Sequence, residues 1–375
     1  MKIIIDATYS PSGGALTQVI NMVEEFNSIK GVELVIYSKE SNKEIFDKFN
    51  NNIIVSRMAG ISVISRIFWC QFILPICLLN AKGSVLFCPG NFSPILSPIK
   101  TVVWIGTIGP FFKDFYTGFS LFDKLKLYIN KLLIVASSKT ADVVIFESLF
   151  TKNMFADRYN FLKSKGHVIN IGLDNYFTDR NGIDLHIKSL VGEGDFILCV
   201  SHLYPYKNII KLLQSFRGVL DQSNHSINLV IAGSMDYKSY NDRILKCIDK
   251  LKLNNNVILL GRVSKGDLKY LYYNCDLLVF PSPYENFAYT LVEAMSCGTP
   301  IVCSNTTAMP ESCKDAAVYF NPFNKVDIMS KIILVLNNKI LKKSLSQKSL
   351  LRIKELPSYK ESTIMTYKIM KSIVK

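Results

Sequence analysis

The sequence predicts an α/β protein made of two doubly wound, Rossmann-like domains. Three observations support this prediction: the chain has 375 residues, short apolar runs alternate with amphipathic stretches along it, and this alternation occurs in two series. A single hydrophobic core stops growing at about 250–300 residues, so a chain of this length is expected to hold two domains. Strands that alternate with helices form parallel sheets covered by helices on both faces.

The predicted strands are short, apolar and rich in β-branched residues, which distinguishes them from the longer helical patterns between them. The first series comprises Ile3–Asp6, Glu33–Ser38, Val85–Cys88, Thr101–Ile105 and Asp142–Glu147. The second series comprises Phe196–Ser201, Ile227–Ala232, Val257–Leu260, Leu277–Pro281 and Thr299–Ser304. Helices are predicted between these strands at Thr17–Lys30, Leu121–Ser138, Ile209–Leu220, Asn241–Leu251, Gly266–Asn274 and Leu291–Ser296.

The predicted domain boundary lies in the polar segment Ile171–Asp195, which contains four glycines and has no clear periodicity. We therefore expect residues 1–172 to form an N-terminal domain and residues 173–357 to form a C-terminal domain. A helix after Pro357, residues 358–375, is expected to pack back on the N-terminal domain. Two such domains in tandem would face each other across a cleft, and open α/β sheets bind ligands at the carboxyl ends of their strands.

The net charge of +14 is unevenly distributed along the chain. Residues 325–375 carry 12 Lys+Arg against 3 Asp+Glu, a net +9, whereas residues 181–324 carry 13 of each. Three partners fit such a basic surface, namely nucleic acid, an anionic membrane surface or an acidic small molecule. A solvated face of terminal helices explains it equally well. Because no recognisable nucleic-acid-binding motif occurs, we expect no nucleic acid partner.

No segment of the sequence is predicted to span a membrane. The longest nearly apolar run, Ile67–Leu79, has 13 residues, whereas a helical span needs about 20. Residues 1–6 are too short for the apolar part of a signal peptide and are typical of a first strand. The nine cysteines lack C-x-x-C spacing, which argues against a zinc site and against a disulfide framework. We therefore expect a cytoplasmic location.

Three loops that follow predicted strands carry candidate ligand-binding residues. Gly13 and Gly14 precede the first helix, where glycine lets the backbone approach an anion, although a plain tight turn explains them as well. His202 and Lys207 flank a proline turn, and this lysine is placed either to bind a phosphate or simply to be solvated. Gly261–Val263 ends a strand, where a flat ring could lie against the backbone.

The segment Tyr284–Pro300 places two carboxylates in an otherwise apolar stretch. Glu285 precedes a predicted helix that begins near Tyr289, and Glu293 lies in the second turn of that helix. Buried carboxylates need partners. Since no basic residue is near in sequence, a ligand rich in hydroxyl groups is one candidate partner. The alternative is an intramolecular cap together with a salt bridge to a distant Lys or Arg.

Residues 281–311, PSPYENFAYTLVEAMSCGTPIVCSNTTAMPE, resemble the signature of the family-four retaining glycosyltransferases, which have the GT-B fold. That signature is an E-x7-E motif, a G-x-P-V/I-V turn and a later P-E pair, which fall here on Glu285, Glu293, Gly298, Pro300 and Pro310-Glu311. Upstream, CVSHLYPYKN, GGALTQVI and VILLGRVSKGDLKYLYYNCDLLVFPS are similar to further elements of the family. The resemblance therefore covers most of residues 1–320.

The resemblance implies a role for each matching residue in binding a nucleotide-sugar donor. Glu285 and Lys207 would be catalytic, and Lys207 would bind the donor pyrophosphate. His202 occupies a position where the family usually has an arginine. The donor contacts fall into four groups: Gly13 and Gly14 beside the phosphate, Gly261, Arg262 and Val263 along the base, Glu293 on the ribose, and Glu285 with the backbone of Asn286, Phe287 and Ala288 on the transferred sugar.

The resemblance also implies metal-independent transfer with retention of the anomeric configuration. The sequence contains no D-x-D motif, so neither a metal-bridged pyrophosphate nor another cofactor is expected. Lys207 and helix amides would stabilise the leaving group. In a front-face displacement the departing phosphate accepts the proton of the acceptor hydroxyl, so a strong general base is not needed. The loop after the Thr101–Ile105 strand lacks the histidine that the family often carries there, which leaves the acceptor-side residue unassigned.

The segment Pro110–Lys131 interleaves aromatic residues and lysines. Together with Ile67–Leu79 and the basic C-terminal residues, it suggests docking on an anionic leaflet that holds a lipid-linked acceptor. An ordinary amphipathic helix packed on its own domain is the alternative interpretation.

We therefore predict a hexosyltransferase that moves a sugar from a nucleotide-diphosphate sugar to a carbohydrate acceptor, lipid-linked, in surface polysaccharide biosynthesis of the O-antigen or capsule type. It would be cytoplasmic and peripheral on the inner face of the membrane. Two alternatives are a non-catalytic nucleotide-sugar-binding relative, which the missing arginine and histidine allow, and a nucleotide-sugar epimerase on the same fold, which would lack the E-x7-E arrangement.

Overall fold

The computed structural model describes residues 1–9, 14–49, 51–81, 84–173, 175–183, 186–222 and 227–374. The chain divides into two compact units. The first unit comprises Met1–Phe111, Phe122–Gly172 and Pro357–Lys375, and the second comprises Phe112–Leu121 and Leu173–Leu356.

The first unit is built on a parallel sheet of seven strands in the order β3-β2-β1-β4-β5-β6-β7. These strands are β1 (Lys2–Asp6), β2 (Glu33–Ser38), β3 (Asn52–Val55), β4 (Ser84–Cys88), β5 (Lys100–Ile105), β6 (Val143–Phe146) and β7 (Gly166–Val168). The central strands are buried on both faces, as Ile3, Ile4 and Ile5 show. A continuous apolar run of this kind is typical of a strand in a parallel sheet.

Helices connect the strands of the first unit. They are α1 (Gly14–Ser28), α2 (Lys43–Asp47), α3 (Arg57–Ile61), α4 (Val63–Phe68), α5 (Leu74–Cys77), α6 (Leu121–Thr140), α7 (Leu149–Arg158) and α8 (Leu162–Lys165). A π-helical turn, Trp69–Ile73, joins α4 to α5. In α1 the buried residues Val19, Met22, Val23 and Phe26 recur every three or four positions, which is the spacing of one helix face.

The second unit is built on a parallel sheet of six strands in the order β10-β9-β8-β11-β12-β13. Its strands are β8 (Phe196–Val200), β9 (Asn228–Ala232), β10 (Val257–Gly261), β11 (Leu277–Phe280), β12 (Ile301–Ser304) and β13 (Ala317–Phe320). Its helices are α9 (His186–Val191), α10 (Ile209–Gln222), α11 (Lys238–Lys250), α12 (Lys265–Asn274), α13 (Tyr289–Ser296), α14 (Met309–Cys313), α15 (Lys325–Leu336) and α16 (Lys339–Ile353). The predicted fold class, two parallel-sheet Rossmann-like units, is therefore confirmed.

The C-terminal helix α17 (Tyr359–Ile373) is part of the first unit. It begins with a capping box, in which Ser358 and Glu361 satisfy each other's backbone N–H groups. The Ser362 hydroxyl donates to the Asn170 carbonyl oxygen at 2.7 Å. A Cβ atom on Gly172 would lie 2.4 Å from the Tyr359 nitrogen, so this close approach of two backbones requires glycine.

The segment Phe112–Leu121 lies with the second unit, whereas the sequence placed it in the N-terminal domain. The reason is aromatic packing. The Phe115 ring lies 4.8 Å from the Tyr206 ring, and the Phe112 ring lies 5.0 Å from the Tyr284 ring, measured between centroids. Such ring pairs add stabilisation beyond the area that they bury.

The sequence did not predict three of the described strands, β3, β7 and β13. Each of them is an edge strand of its sheet. Helix α9 lies within the polar segment in which the sequence shows no clear periodicity. Within the described residues, every helix is too short or too polar to traverse a bilayer.

Candidate functional site

The strand order of the second sheet brings two loops together at one point. From β8 the chain builds outward to β9 and β10, and it then returns to the opposite side of β8 as β11. The loops that follow β8 and β11 therefore start from adjacent strands and run in opposite directions. A crevice forms between the two loops. Ligands of doubly wound sheets bind at such a switch point.

Lys207, from the loop after β8, forms an ion pair with Glu285, from the loop after β11. The Lys207 Nζ atom lies 2.6 Å from Glu285 Oε1, and each side chain is only 14% exposed. The structure thus contains the distant salt bridge that was one of the two alternatives for this carboxylate. The ion pair and the low exposure exclude the interpretation of Lys207 as a solvated turn residue.

The charge state of Lys207 follows from its surroundings. Burial by itself lowers the pKa of Lys207, whereas the charge of Glu285, the nearby Tyr206 hydroxyl and the hydrogen bond to Glu285 raise it. These attractions outweigh the burial, so the net pKa lies above the ordinary value for lysine. The amine therefore keeps its positive charge at neutral pH, as binding a phosphate requires.

Hydrogen bonds hold the backbone around this pair in place. The Glu285 N–H donates to Thr307 Oγ1 at 3.1 Å, and the Ala308 N–H donates to the Glu285 carbonyl oxygen at 3.4 Å. Asn208 has a positive φ of 64° and donates through Nδ2 to the Pro322 carbonyl at 2.7 Å. Asparagine tolerates this left-handed conformation better than most residues. Hydrogen bonds to other parts of the second unit thus anchor both loops.

His202 lies in a hydrogen-bonded chain that the sequence did not predict. Its Nδ1 atom contacts the Ser234 hydroxyl, and that hydroxyl donates to Asp236 Oδ2 at 2.6 Å. Because Ser234 gives its proton to Asp236, it accepts from His202, which assigns a proton to Nδ1. Ser234 and Asp236 follow β9, the strand beside β8. The signal that could have identified them is their place in the loop after a predicted strand.

Burial and three charged residues, Lys207, Asp236 and Arg262, affect the pKa of His202. Desolvation of the ring is the largest cause that lowers the pKa of His202, followed by the positive charge of Lys207. Asp236 raises this pKa, and Arg262 lowers it. The net pKa lies below the ordinary value, so His202 is neutral at pH 7 in the ligand-free protein. The structure thus brings Arg262, at the end of β10, within electrostatic reach of His202.

Glu293 lies in the second turn of α13, as predicted. Its Oε2 atom accepts a hydrogen bond of 2.8 Å from the Tyr272 hydroxyl. Burial and the nearby Glu293 raise the pKa of Tyr272 well above its ordinary value, so this hydroxyl stays protonated and remains a donor. Thr299 follows the C-terminal end of α13. Its hydroxyl donates to the Tyr272 carbonyl oxygen at 2.7 Å and so helps to hold Tyr272, which lies on α12, in place.

The other predicted donor residues of the second unit lie on neighbouring loops. Gly261 ends β10 with a φ of 67°, and apart from its two chain neighbours no residue has an atom within 4 Å of the place where its Cβ would be. A flat ligand thus has room beside this backbone, next to Arg262 and Val263. The side chains of Asn286, Phe287 and Ala288 are buried, as a set, at 7% exposure or less.

The predicted glycine pair of the first unit is described only in part. Gly13 lies outside the described residues, and Gly14 is the first residue of α1. Neither its contacts nor its distance from a ligand is therefore assigned.

A cavity of about 440 Å³ lies within the second unit beside the Lys207–Glu285 pair. Its wall includes Tyr206 and Tyr284, the sequence neighbours of the pair, and does not include Lys207 or Glu285 themselves. Asp114, Lys211 and Arg243 supply its charges. The cavity therefore lies beside the pair and is not lined by it.

A second group of polar residues lies at the carboxyl end of β1. Asp6 is buried and accepts hydrogen bonds from the Thr8 hydroxyl at 2.6 Å and from the Thr8 N–H at 3.1 Å. The Arg66 guanidinium lies 4.4 Å from the centre of the Tyr9 ring. Burial raises the pKa of Asp6, whereas the bonds from Thr8 and the charge of Arg66 lower it, with a net rise. No spacing pattern in the sequence links Asp6 to Arg66, so this group of residues was not predicted.

Part of the second half of the chain matches a known protein family. Residues 184–351 match the family described as "Glycosyl transferases group 1". The O-antigen chain mannosyltransferase B of Escherichia coli is 36% identical over 140 residues, which are 37% of this chain and 36% of that protein. The O-antigen chain mannosyltransferase RfbU of Salmonella typhimurium is 28% identical over 207 residues, which are 55% of this chain and 54% of that protein. The chain thus matches about a third to a half of the length of these curated relatives.

The whole chain shares its fold with solved structures. The Anabaena protein HepE, in a crystal structure with UDP and glucose, superposes with a TM-score of 0.76 at 16% identity, and the match covers 100% of both chains. A likeness at this level of identity concerns the fold, and it confirms the predicted GT-B architecture.

Proposed function

Because residues 184–351 are a group 1 glycosyltransferase domain, we propose that the protein transfers a hexose from a nucleoside-diphosphate sugar to a carbohydrate acceptor with retention of configuration. The observation that carries this proposal is the Lys207–Glu285 pair, 2.6 Å apart at the switch point of the second sheet. A fixed cation and a carboxylate at this position suit a phosphate on one side and sugar hydroxyls on the other. The crystal structure of HepE with UDP and glucose supports a nucleotide donor.

Lys207 and Glu285 would contact different parts of the donor, the pyrophosphate and the transferred sugar. When no ligand is bound, Glu285 neutralises Lys207, so neither charge is buried alone. When the donor binds, the Lys207 ammonium faces the pyrophosphate, and Glu285 accepts hydrogen bonds from hydroxyls of the transferred sugar. Arg262 and a protonated His202 add positive charge beside the same phosphates. The roles of Gly261, Val263 and Glu293 toward the base and ribose, and of Gly13 and Gly14 beside the phosphate, belong to the same proposal.

The transfer step follows from this placement. The acceptor hydroxyl oxygen forms a bond to the anomeric carbon on the face from which the phosphate leaves. The bond between that carbon and the phosphate oxygen breaks, and the departing phosphate takes the proton of the acceptor hydroxyl. Lys207 stabilises the negative charge that grows on the leaving oxygen, which is where preorganised charge lowers a barrier most. The products are a glycoside and a nucleoside diphosphate.

The acceptor that we propose is a lipid-linked glycan of surface polysaccharide biosynthesis, so the protein would act as a peripheral protein at the inner face of a membrane. The names of the curated relatives, which are O-antigen chain mannosyltransferases, support this class of acceptor and favour mannose as the hexose. The cytoplasmic location belongs to the same proposal, because nucleotide sugars and lipid-linked acceptors meet there.

The test is a two-stage assay. The purified protein is first screened by thermal shift against UDP- and GDP-linked hexoses. The donor that stabilises it is then incubated with and without lipid-linked glycans, and nucleoside diphosphate and the anomeric configuration of the product are measured. We expect diphosphate release and a retained linkage. Donor binding without release in any reaction would indicate a non-catalytic binding protein, an epimerised sugar without transfer would indicate an epimerase, and an inverted linkage would contradict the mechanism.

A further inference from the structure

One helical run of the first unit presents a continuous apolar stripe to solvent. It starts at the end of α3 and passes through α4, the π-helical turn and α5. Its inner face buries Trp69, Cys70, Leu74 and Leu78. Its outer face exposes apolar residues at intervals of three or four, namely Ile61, Ile64, Phe68, Phe72, Ile76 and Leu79. A stripe with this spacing lies along one side of a helix, so these side chains point the same way.

The first half of α6 repeats this arrangement. No residue from Phe122 to Leu133 is buried, and the first buried residue of the helix is Ile134. The exposed side chains of this half include Phe122, Leu125, Tyr128, Ile129 and Leu132, again spaced by three or four. Three turns of helix thus carry apolar residues that are not covered by the described residues of the first unit.

A loop joins these two helical faces. Gln71, on α4–α5, donates to the Ser93 carbonyl at 3.0 Å and accepts from the Ile95 N–H at 3.0 Å. On its other side, the Ser93 N–H donates to the Ser137 hydroxyl of α6 at 3.0 Å. The next residue after Ile95, Leu96, is 81% exposed. The loop therefore continues the apolar face from one helix toward the other.

The topology places both helical runs on one side of the first sheet. The connections from β3 to β4 and from β5 to β6 cross the sheet in the same direction. Because parallel crossovers are right-handed, both connections lie on the same face. We call these three parts, the stripe of α3–α5, residues 95–96 and residues 122–132 of α6, the apolar surface.

The charges around the apolar surface have one dominant sign. Helix α6 carries four lysines, Lys124, Lys126, Lys131 and Lys139, against one acidic residue, Asp123, whose carboxylate lies 3.8 Å from Lys126. On α6, Lys124 and Lys126 are exposed among the apolar residues. The Lys126 Nζ atom lies 4.1 Å from the centre of the Phe122 ring. Exposed apolar side chains mixed with lysines are typical of a helix that lies in a lipid headgroup region.

We infer that the apolar surface docks the first unit on an anionic lipid bilayer. Apolar side chains enter the boundary between headgroups and acyl chains, and the basic residues face the acidic headgroups. A monomeric protein seldom exposes so large an apolar area without a partner. A second copy of this chain fits less well, because the basic residues of two copies would repel each other across a shared face. The inference deepens the proposed function, since a lipid-linked acceptor lies at such a surface, and it is tested without any sugar transfer.

The experiment measures sedimentation of the full chain with phosphatidylcholine vesicles that contain or lack phosphatidylglycerol. We expect binding to the anionic vesicles that weakens with salt. The double variant Phe72→Glu/Ile76→Glu should lower the partition coefficient by about tenfold or more, because both side chains would leave the lipid. The double variant Lys124→Glu/Lys126→Glu should lower it by about fivefold or more for each lysine. The matched control is Ile340→Glu/Leu351→Glu, since both residues are exposed apolar positions of the second unit, and it should bind like the wild type.

Thermal shift by nucleotide sugar checks that each variant is folded and keeps its donor site. Unchanged vesicle binding by Phe72→Glu/Ile76→Glu, or equal binding to neutral and anionic vesicles, would overturn the inference. A wild-type dimer in sedimentation equilibrium that this variant dissociates, without vesicle binding, would identify the surface as a contact between copies instead. Vesicle binding by a protein that transfers no sugar would sustain the inference while the proposed function fails.

Discussion

The Lys207 Nζ atom lies 2.6 Å from Glu285 Oε1, although the two residues are 78 positions apart in the chain. Their proximity is a consequence of strand order, because β8 and β11 are adjacent and parallel. The pair is nearly removed from solvent, so its two charges are strongly coupled. Changing either residue should therefore affect both the stability of the second unit and the chemistry proposed for this site.

Replacing Glu285 by glutamine should lower kcat by at least about a hundredfold. The transferred sugar would lose a charged acceptor, and Lys207 would no longer be held by an opposite charge. The Kd for nucleoside diphosphate should stay within about threefold of the wild type, since the interaction lost is with the sugar. Steady-state kinetics and nucleotide titration measure the two quantities. Equal losses in kcat and in nucleotide affinity would show that Glu285 does not act on the sugar.

Replacing Lys207 by alanine should cost about 2–4 kcal/mol of transition-state stabilisation, because one preorganised cation is lost from the leaving group. It should also destabilise the second unit, since Glu285 would be left without its partner in a nearly dry site. Lys207→Arg, which keeps the charge, is the matched control and should retain most of the nucleotide affinity. The measurements are kcat/KM and denaturant unfolding. Wild-type kcat/KM in Lys207→Ala would remove this lysine from the mechanism.

Replacing Glu293 by alanine should weaken nucleotide binding by about tenfold, with a smaller effect on kcat, because the proposed contact is with the ribose. Tyr272→Phe is informative beside it, since it removes only the hydroxyl that donates to Glu293 at 2.8 Å. That variant should bind nucleotide nearly as well as the wild type, because the carboxylate remains. Isothermal titration with nucleoside diphosphate and with the free base distinguishes the effects. The ribose assignment fails if Glu293→Ala binds the diphosphate like the wild type.

Much of the fold was predictable because buried parallel strands are continuous apolar runs. All ten predicted strands occur within a few residues of their predicted bounds. The three strands that were not predicted lack such a continuous apolar run or are too short to show it. In β3 the burial alternates between exposed and intermediate along Asn52–Val55, and β7 has only three residues, Gly166–Val168. Edge strands of this length carry too few apolar residues to stand out from a loop.

For the candidate site, the sequence predicted only which residues lie in loops that follow strands. The sequence indicated that Lys207 and Glu285 both follow strands, but it did not indicate that those strands are neighbours. For that reason the absence of a nearby basic residue in sequence was misleading for Glu285. The contact of His202 with Ser234 and the reach of Arg262 toward His202 likewise depend on β9 and β10 lying in order beside β8. Strand order is a tertiary property that local spacing does not encode.

Replacing Asp6 by asparagine should stabilise the first unit at neutral pH by on the order of 1 kcal/mol. The folded-state pKa of Asp6 is raised, mainly by burial. As pH rises from about 3.9, the ordinary value of an unfolded aspartate, toward the folded pKa, the unfolded chain loses this proton first and stability declines. Asparagine keeps an oxygen for the Thr8 donors and has no such titration. The gain should be larger at pH 7 than at pH 4 in denaturant unfolding.

Asp6→Ala is the control, because it also removes the acceptor for the Thr8 N–H and hydroxyl. It should destabilise at both pH values, since two buried donors lose their partner. If Asp6→Asn also destabilises at pH 7, then Arg66 depends on an ionised Asp6, and the carboxylate is kept for charge rather than for shape.

The last prediction concerns the proton on His202. In the ligand-free protein the pKa of His202 is lowered, and the groups that face it are Ser234, Asp236, Lys207 and Arg262. A bound pyrophosphate adds an opposite charge and should raise this pKa. Between the His202 pKa of the free protein and the higher His202 pKa of the complex, His202 takes up a proton when the donor binds. Donor affinity should therefore be high below the free-protein pKa, fall as pH rises, and level off above the pKa of the complex.

His202→Arg should lose this slope, because a guanidinium stays charged between about pH 5 and 9 and can still face the phosphate. Asp236→Asn removes the one neighbour that raises the His202 pKa, so the fall in affinity should begin at lower pH. The experiment is nucleoside-diphosphate titration across this range for the wild type and both variants. The ligand's own titration is common to all three, so only the differences between profiles report on His202. Superimposable profiles for the wild type and His202→Arg would mean that His202 does not face the phosphate, and that Lys207, Arg262 and helix amides hold it without a titrating group.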